Sequence, residues 1–169
     1  PWDSMTLPEL YAKSITPAEW FPGLFTFARG LELIPFASVF GLDSLEMLED
    51  LDCPAFKIAR AERDCMWLRA AAAEGGRPVL VSGLDIYCPP GYPCDPRALA
   101  GRDIGFYWGL SCHYPDPVAG AIAVARGASY LEFHLTLDDG VPTLDDCVNL
   151  TAGQFAEMVR LVRRAEVMR

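Results

Sequence analysis

The two histidines of this 169-residue chain lie near the ends of two strand-like runs of sequence. His113 follows the run GFYWGLSC, His134 lies within YLEFHLT, and a helix is predicted between them at about 117–126. A strand, a helix and a second strand in this order are typical of parallel α/β folds. Because side chains alternate along a strand, Ser111 shares a face with His113, and Glu132 shares one with His134. The pattern predicts that neighbouring strands bring both imidazoles to one place.

Two imidazoles on adjacent strands suit a divalent ion such as Mn²⁺, Zn²⁺ or Fe²⁺, with water filling the open positions. A single histidine in a strand is more often a core residue whose ring nitrogens bond to neighbouring groups. The residues alone therefore leave two interpretations open, a metal-binding pair and a structural pair.

Other polar side chains lie at the ends of predicted strands, where parallel α/β folds form their sites. A lysine inside an apolar strand is unusual unless it binds an anion or reaches the surface. Hydroxyl groups can bond to phosphate oxygens, and a carboxylate can hold a sugar hydroxyl or move a proton. Serines at strand ends are weak evidence alone, and a tyrosine between prolines is equally compatible with loop packing. The residues concerned are Ser38, Lys57, Glu62, Ser82, Tyr92, Ser111 and Asp145.

Composition narrows the class of protein. The chain has 14 basic and 23 acidic residues and a net charge of −9, which argues against a nucleic-acid partner. Its 51% hydrophobic content is that of a globular domain, and no run of about 18 apolar residues predicts a membrane span. Six cysteines without a CxxC pair, in a chain with no visible export signal, predict reduced thiols and a cytoplasmic location.

The order of elements predicts an α/β fold with about six mainly parallel strands. The predicted domain covers residues 16–169, after a lead-in of residues 1–15. Strands are predicted at 31–38, 55–59, 78–82, 85–88, 104–111 and 130–136. Helices are predicted at 16–29, 43–51, 63–74 and 117–126, with a last helix opened by Thr151. A complete eight-unit barrel takes about 250 residues, so the chain is a six-strand part of a barrel, a doubly wound sheet or a fragment.

Five stretches of sequence, in order from about Thr16 to the end, suggest a family. They read TPAEWFPGLFTFARGLELIPFASVFGLDSLEMLEDLDCPAFKIAR, GRPVLVSGL, GLSCHY, AIAVARGASYLEFHLTLDD and VPTLDDCVNLTAGQFAEMVRLVR. Together they resemble the barrel domain of the sialic acid synthases, whose corresponding patterns include PAYKIAS, GKPVIxSTGM, GYSDHT and IEKHFTLD. That family includes N-acetylneuraminate synthase and its legionaminic, pseudaminic and spore-coat polysaccharide relatives.

The resemblance implies a (β/α)₈ barrel that condenses phosphoenolpyruvate with N-acetylmannosamine or a similar amino sugar. The products are a nine-carbon 2-keto acid and phosphate. It also implies a divalent metal, usually Mn²⁺ with Zn²⁺ or Mg²⁺ as alternatives, held by His113 and His134. By position, the phosphoenolpyruvate contacts match Ser38, Lys57, Ser82 and Ser111, with Arg60 beside them in place of a family serine. Residues near the acceptor sugar match Glu62, Tyr92 and Asp145, of which Glu62 and Asp145 are the catalytic candidates.

The sequence also departs from the family pattern. The family's first two strands, its C-terminal antifreeze-like domain and the helix between its STGM and HCTS motifs have no counterpart here. Cys112 and Phe133 replace a family aspartate and lysine. A catalytically decayed barrel that acts as a binding or assembly module is therefore one alternative, and an aldolase-type metal-dependent lyase is another. Because a partial barrel has open sheet edges, we also expect a homodimer or a partner chain to cover them.

Overall fold

The computed structural model of the protein describes residues 5–101, 103–137 and 140–169. The described chain divides into two compact units, one ending at Ser82 and the other running from Gly83 to Arg169. Each unit contains one three-stranded sheet, and all the strand pairs in both sheets are parallel. The division into a lead-in and a single domain at residue 16 stays a prediction.

The first unit alternates helices and strands. Its α-helices are α1 (Leu7–Ser14), α2 (Phe21–Gly30), α3 (Leu42–Asp50) and α4 (Met66–Glu74). Its strands are β1 (Ala37–Val39), β2 (Phe56–Ile58) and β3 (Val79–Val81), hydrogen-bonded in that order. Short 3₁₀ helices cover Ala18–Trp20 and Arg60–Glu62.

In the β1–β2–β3 sheet, register partners point to the same face, and the face that carries Ser38 and Lys57 also carries Leu80. Val39 is paired with Ile58, and both side chains are fully buried in the core together with Phe56. Ser38 is paired with Lys57 on the opposite face. The apolar half of each strand therefore fixes where these two polar side chains lie.

The strand predicted at 31–38 is wrong for most of its length, since only Ala37–Val39 forms a strand. The apolar residues before it form the C-terminal cap of α2. There Glu32 adopts a left-handed conformation with φ of 60°, and the N–H of Leu33 donates to the carbonyl of Ala28 over 3.0 Å. These contacts are those of a helix-terminating Schellman motif. The first residues of the predicted strand, 31–33, therefore belong to the C-terminal cap of α2.

Helix α1 lies in the predicted lead-in of residues 1–15, where no helix or strand was predicted. Its first turn is held by the carboxylate of Glu9, which accepts a hydrogen bond of 2.8 Å from the N–H of Thr6. Pro8 stands at the start of the helix, where a proline has no hydrogen bond to lose. A threonine followed three residues later by a glutamate is a helix-start signal, and no helix was predicted from it here.

The second unit begins with a loop-rich segment and ends with a long helix. Its strands are β4 (Ile86–Tyr87), β5 (Gly109–Cys112) and β6 (Tyr130–Phe133), hydrogen-bonded in that order. Its α-helices are α5 (Pro96–Leu99), α6 (Val118–Ala125) and α7 (Ala152–Val167). The predicted start of α7 is confirmed, because Thr151 and Gln154 form a reciprocal capping box with bonds of 2.9 and 3.3 Å.

The strand predicted at 104–111 is also too long. Residues Asp103–Phe106 form a 3₁₀ helix, and the extended backbone begins only at Gly109. The N–H of Tyr107 donates to the carbonyl of Ile104 over 3.1 Å, which closes the turn before the strand.

The link between β3 and β4 is only residues 82–85, and these strands belong to different sheets. Adjacent parallel strands need a crossover of about a dozen residues or more, so this link cannot make them neighbours in one sheet. Within the described ranges, no helix is long and apolar enough to span a membrane.

Strand β5 passes close to β6 at Gly109. A Cβ atom added at Gly109 would clash with the carbonyl oxygen of Tyr130 and lie 2.7 Å from its Cβ. We expect Gly109→Ala to lower the free energy of unfolding by about 1–3 kcal/mol through overpacking. Urea unfolding of the purified variant measures this.

Gly23 in α2 is the matched control, because a Cβ added there meets nothing within 4 Å. Gly23→Ala should leave stability unchanged or raise it by up to about 1 kcal/mol. Equal effects of the two substitutions would contradict the close approach of β5 to β6.

Candidate functional site

The pairing of β5 with β6 brings two polar side chains into contact. Ser111 is the register partner of Glu132, and its hydroxyl donates a 2.8 Å hydrogen bond to Oε1 of that carboxylate. The hydroxyl of Tyr130 donates to Oε2 of Glu132 over 3.3 Å. Burial and the Glu132 carboxylate raise the pKa of Tyr130, so its hydroxyl keeps its proton and remains a donor.

The two histidines lie just beyond these strand ends, with ring centroids 5.2 Å apart. The carbonyl of His113 accepts from the N–H of Cys94, and the carbonyl of His134 accepts from the N–H of Leu150, each over 2.9 Å. Both backbones are therefore tied to neighbouring segments. The shared face and the proximity expected from strand alternation are both present in the structure.

Each imidazole has a polar neighbour at Nδ1. Oδ2 of Asp145 lies 3.5 Å from Nδ1 of His134. The thiol Sγ of Cys88 lies 3.9 Å from Nδ1 of His113. A partner at one ring nitrogen fixes the orientation of a ligating histidine and favours the other nitrogen as the ligand atom.

Tyr92 packs against both imidazoles. Its ring centroid lies 5.1 Å from that of His113 and 6.0 Å from that of His134. Its hydroxyl donates a short hydrogen bond to Oδ1 of Asp145. Burial, and secondarily the Asp145 carboxylate, raise the pKa of Tyr92, which keeps the hydroxyl protonated. Four residues predicted for the site are thus brought together in the second unit.

The donors present suit a metal ion only in part. Across the described residues, no group of three or more histidine, cysteine, aspartate or glutamate side chains could hold a metal ion. Two imidazoles remain, and catalytic metal sites commonly complete such a set with water or substrate oxygens. The residues therefore fit an open two-histidine site, but not a closed structural one.

The first unit carries the remaining predicted residues. Ser38 and Lys57 are half-buried register partners on the face opposite the apolar core. Arg60 is exposed, in the 3₁₀ helix that follows β2. The N–H of Ser82 donates to the carbonyl of Ile58 over 3.0 Å, which holds Ser82 at the end of β3.

Two side-chain oxygens of this unit are buried without a hydrogen-bond partner among the described residues, Oγ of Ser82 and Oε2 of Glu62. Leaving a buried polar group unsatisfied costs about 1–3 kcal/mol. Such atoms in a native fold call for an explanation, and a polar ligand is one that satisfies them. Both residues were predicted as ligand contacts from the sequence.

Glu132 and Cys88 contact site residues but were not among the predicted site residues. For Glu132 the signal was available, since its register and face place it opposite Ser111. For Cys88 it was not, because its contact with His113 spans 25 residues of sequence.

The chain is thus a parallel α/β protein with two histidines and a carboxylate beyond its strand ends, where such folds, barrels among them, form their sites. Residues 1–84 and 100–169 match the sequence profile of the NeuB family, and the chain belongs to that family. The resemblance to sialic acid synthases is thereby confirmed.

Two relatives illustrate the match. The pseudaminic acid synthase of Helicobacter pylori is 31% identical over 194 residues, which cover 97% of this chain and 57% of that protein. The N-acetylneuraminate-9-phosphate synthase of Homo sapiens is 28% identical over 163 residues, covering 78% of this chain and 45% of that protein. The chain thus spans about half the length of the curated relatives it matches.

Solved structures show the same fold. The spore coat polysaccharide biosynthesis protein SpsE of Bacillus subtilis superposes with a TM-score of 0.82 at 24% identity, over 98% of this chain and 56% of that one. The N-acetylneuraminic acid synthetase of Leptospira borgpetersenii, in complex with citrate, gives 0.81 at 19% identity, over 90% and 64%. The predicted α/β fold, part of a (β/α)₈-type barrel, is confirmed.

The comparisons also locate an internal difference. The family match leaves out residues 85–99, directly after β3. The alignment with the Helicobacter protein is 194 residues long against 169 in this chain, so the relative carries residues within the alignment that are missing here. The deletion of the helix between the STGM and HCTS motifs stays a prediction.

All six cysteines are free thiols. The three near the histidines, Cys88, Cys94 and Cys112, are buried. Burial raises the pKa of the Cys112 thiol to about 12, and it also raises the pKa of Cys94.

Because the thiolate is the reactive form, Cys94 and Cys112 should resist iodoacetamide at about pH 8, while the partly exposed Cys65 and Cys147 react first. Mass spectrometry of the native and urea-unfolded protein measures this. Fast native labelling of Cys112 would contradict the buried site.

Proposed function

We propose that this chain carries a site for condensing phosphoenolpyruvate with an amino sugar of the N-acetylmannosamine type. The observation that carries the proposal is the cluster of His113, His134, Tyr92 and Asp145 beyond the ends of β5 and β6. Family membership supports it, because two matched relatives are named as synthases of pseudaminic acid and of N-acetylneuraminate 9-phosphate. The product would be a sialic-acid-type 2-keto sugar acid, made in the cytoplasm.

Phosphoenolpyruvate is an anion, and the first unit offers groups that suit it. Lys57 supplies a positive charge, and its register partner Ser38 supplies a hydroxyl on the same face. Ser82 adds a buried hydroxyl without a partner among the described residues. Arg60 is exposed in the 3₁₀ helix that follows β2, and it adds a second positive charge for the phosphate or carboxylate of phosphoenolpyruvate.

Each unit, taken by itself, supplies a carboxylate that suits a sugar. Asp145 can hold a sugar hydroxyl or move a proton, since its side chain is 44% exposed. Glu62 has a buried oxygen available to an acceptor hydroxyl. Tyr92 packs against both imidazoles and keeps its proton, because burial raises its pKa.

In the proposed reaction, C3 of phosphoenolpyruvate forms a bond to the aldehyde carbon of the sugar. Water adds to C2, and the bond from C2 to the phosphate oxygen breaks with release of inorganic phosphate. A divalent ion on His113 and His134, with Mn²⁺ as our first choice, would polarise the aldehyde oxygen. The protein's own residues orient the two substrates and place donors and acceptors at the oxygens where charge develops.

A binding or assembly module is the second candidate. Two observations favour it: the hydroxyl of Ser111, a predicted phosphoenolpyruvate contact, already donates to Glu132, and the family match leaves out residues 85–99. Such a module would retain ligand affinity and lack turnover.

We also propose that a second copy of the chain covers an open side of the first unit. Among the described residues, β1 pairs only with β2, so one edge of the sheet has no strand partner. Beside it in sequence, Trp20, Leu24, Phe27 and Leu31 form an apolar stripe along α2 and its ends, each 51–69% exposed. Exposed apolar patches of this kind mark interaction sites. A two-fold axis would place like edge on like edge and stripe on stripe.

Phosphate release tests the catalytic proposal. With phosphoenolpyruvate, N-acetylmannosamine and Mn²⁺, the 169-residue chain should release phosphate only when both substrates are present. His113→Ala and Lys57→Ala should each lower the rate by more than about 100-fold, since each removes a charge-stabilising group. Lys13→Ala, at the exposed lysine of α1, is the matched control and should retain the wild-type rate.

A folded, metal-supplemented chain that binds phosphoenolpyruvate in calorimetry but releases no phosphate would support the binding module. Absence of both binding and release would overturn both candidates.

Sedimentation velocity tests the covering of β1. The chain should associate as its concentration rises, and Phe27→Lys should weaken association by about tenfold or more, as a charge at the centre of an apolar contact does. Val167→Lys changes an apolar residue that is 87% exposed on α7 and should have no effect. A monomer at every concentration would contradict self-association.

A further inference from the structure

One carboxylate in the candidate site serves two partners. Oδ1 of Asp145 accepts the hydrogen bond from the Tyr92 hydroxyl, while Oδ2 faces Nδ1 of His134 at 3.5 Å. Each carboxylate oxygen therefore has its own neighbour, and the carboxylate cannot rotate without disturbing both contacts.

The backbone that carries Asp145 is tied to the backbone that carries His134. The carbonyl of Asp145 accepts from the N–H groups of Val148 and Asn149 over 2.9 and 3.1 Å. Leu150, at the end of the same turn, donates to the carbonyl of His134 and accepts from the N–H of Thr136 over 3.0 Å. The turn thus docks on the extension of β6 as a parallel bridge.

We propose that Asp145 and Tyr92 are positioning residues that fix the ring orientation and the tautomer of His134. Asp145 holds the proton on Nδ1, and Tyr92 holds the Asp145 carboxylate in the rotamer that reaches it. Nε2 is then the unprotonated nitrogen that a metal ion can use. The assignment of an ion to Nε2 rests on the proposed function, whereas the tautomer itself does not.

Physical chemistry supports this division of roles. A neutral imidazole carries one proton, and the hydrogen bond made by one nitrogen decides which nitrogen holds it. A carboxylate beside Nδ1 favours the proton there, because the N–H can donate to a negative oxygen. The Tyr92 hydroxyl stays protonated and can therefore act only as a donor to Asp145, which directs the remaining oxygen to His134.

Tyr92 also limits where the rings can move. It packs on His113 with centroids 5.1 Å apart and meets His134 edge-on at 6.0 Å, with an interplanar angle of 79°. A ring flip of His134 would leave Nδ1 facing away from its carboxylate. The hydrogen bond and the ring contact of Tyr92 thus act on the same orientation.

Nuclear magnetic resonance of the metal-free protein tests the proposal directly. The chain has only two histidines, so ¹⁵N-histidine labelling gives two ring systems, and His113→Ala assigns them. At about pH 8, His134 should carry its proton on Nδ1. Asp145→Ala should shift it towards the Nε2–H tautomer, and Tyr92→Phe should shift it partly.

Tyr130→Phe is the matched control, because it removes a tyrosine hydroxyl that donates to a different carboxylate, that of Glu132. It should leave the His134 signals unchanged. Asp145→Asn keeps the size of the side chain and guards against a folding defect; it should lie between wild type and Asp145→Ala. An unchanged His134 tautomer in both folded Asp145 variants would overturn the proposal.

Manganese binding, measured by electron paramagnetic resonance, separates this proposal from the proposed function. If both hold, Asp145→Ala weakens Mn²⁺ binding by about 10–100-fold, as loss of a ligand-orienting partner does, and Tyr92→Phe weakens it less. If the tautomer shifts in Asp145→Ala but wild type binds no Mn²⁺, the positioning role stands and the proposed metal-dependent function fails.

Discussion

The parallel register of β5 and β6 is the constraint on which the candidate site depends. With Ser111 opposite Glu132, both histidines continue the same face, and their rings meet 5.2 Å apart. A slip of one residue in β6 would turn His134 to the face that packs on the helices, because side chains alternate with a period of two. The polar neighbours of the two Nδ1 atoms among the described residues lie 3.5 and 3.9 Å away, which is too long for strong hydrogen bonds that could set this register.

The apolar face sets it instead. Leu110 and Cys112 of β5 are buried in the core of the second unit, and Leu131 and Phe133 of β6 pack against that core. Gly109 allows the backbones of the two strands to approach, since any side chain there would meet Tyr130. Burial of this apolar face contributes about 25 cal/mol per Å². It therefore stabilises the strand register that places the polar side chains on the opposite face.

Alternation along the strands was the part of the site that the sequence predicted well. It placed Ser111, His113, Glu132 and His134 on one face, and the structure has them there. Strand lengths were predicted poorly, because an apolar run such as LELI suits a strand and a helix cap equally. The start of that run instead forms the Schellman motif that ends α2, because its N–H groups donate to carbonyls of the last turn of that helix.

The contacts of Asp145 were beyond any local pattern. Tyr92 precedes it by 53 residues, and the two meet only because separate loops converge on the histidines. The resemblance to the sialic acid synthases implied that Tyr92 and Asp145 lie near the sugar. It did not imply a contact between them. Their hydrogen bond and the position of Asp145 beside His134 required three-dimensional structure.

Ser82 and Ser111, two of the predicted serine ligands, differ in whether the hydroxyl proton is already donated. A phosphate or carboxylate oxygen accepts hydrogen bonds, so a serine must donate its one hydroxyl proton to bind it. Ser111 already donates that proton to Glu132, and binding phosphoenolpyruvate would require it to give up a charge-assisted bond. Ser82 is buried with no partner for its hydroxyl among the described residues and has nothing to give up. Of these two serines, Ser82 therefore has a hydroxyl proton available for a hydrogen bond to an anion, whereas the hydroxyl proton of Ser111 is already donated to Glu132.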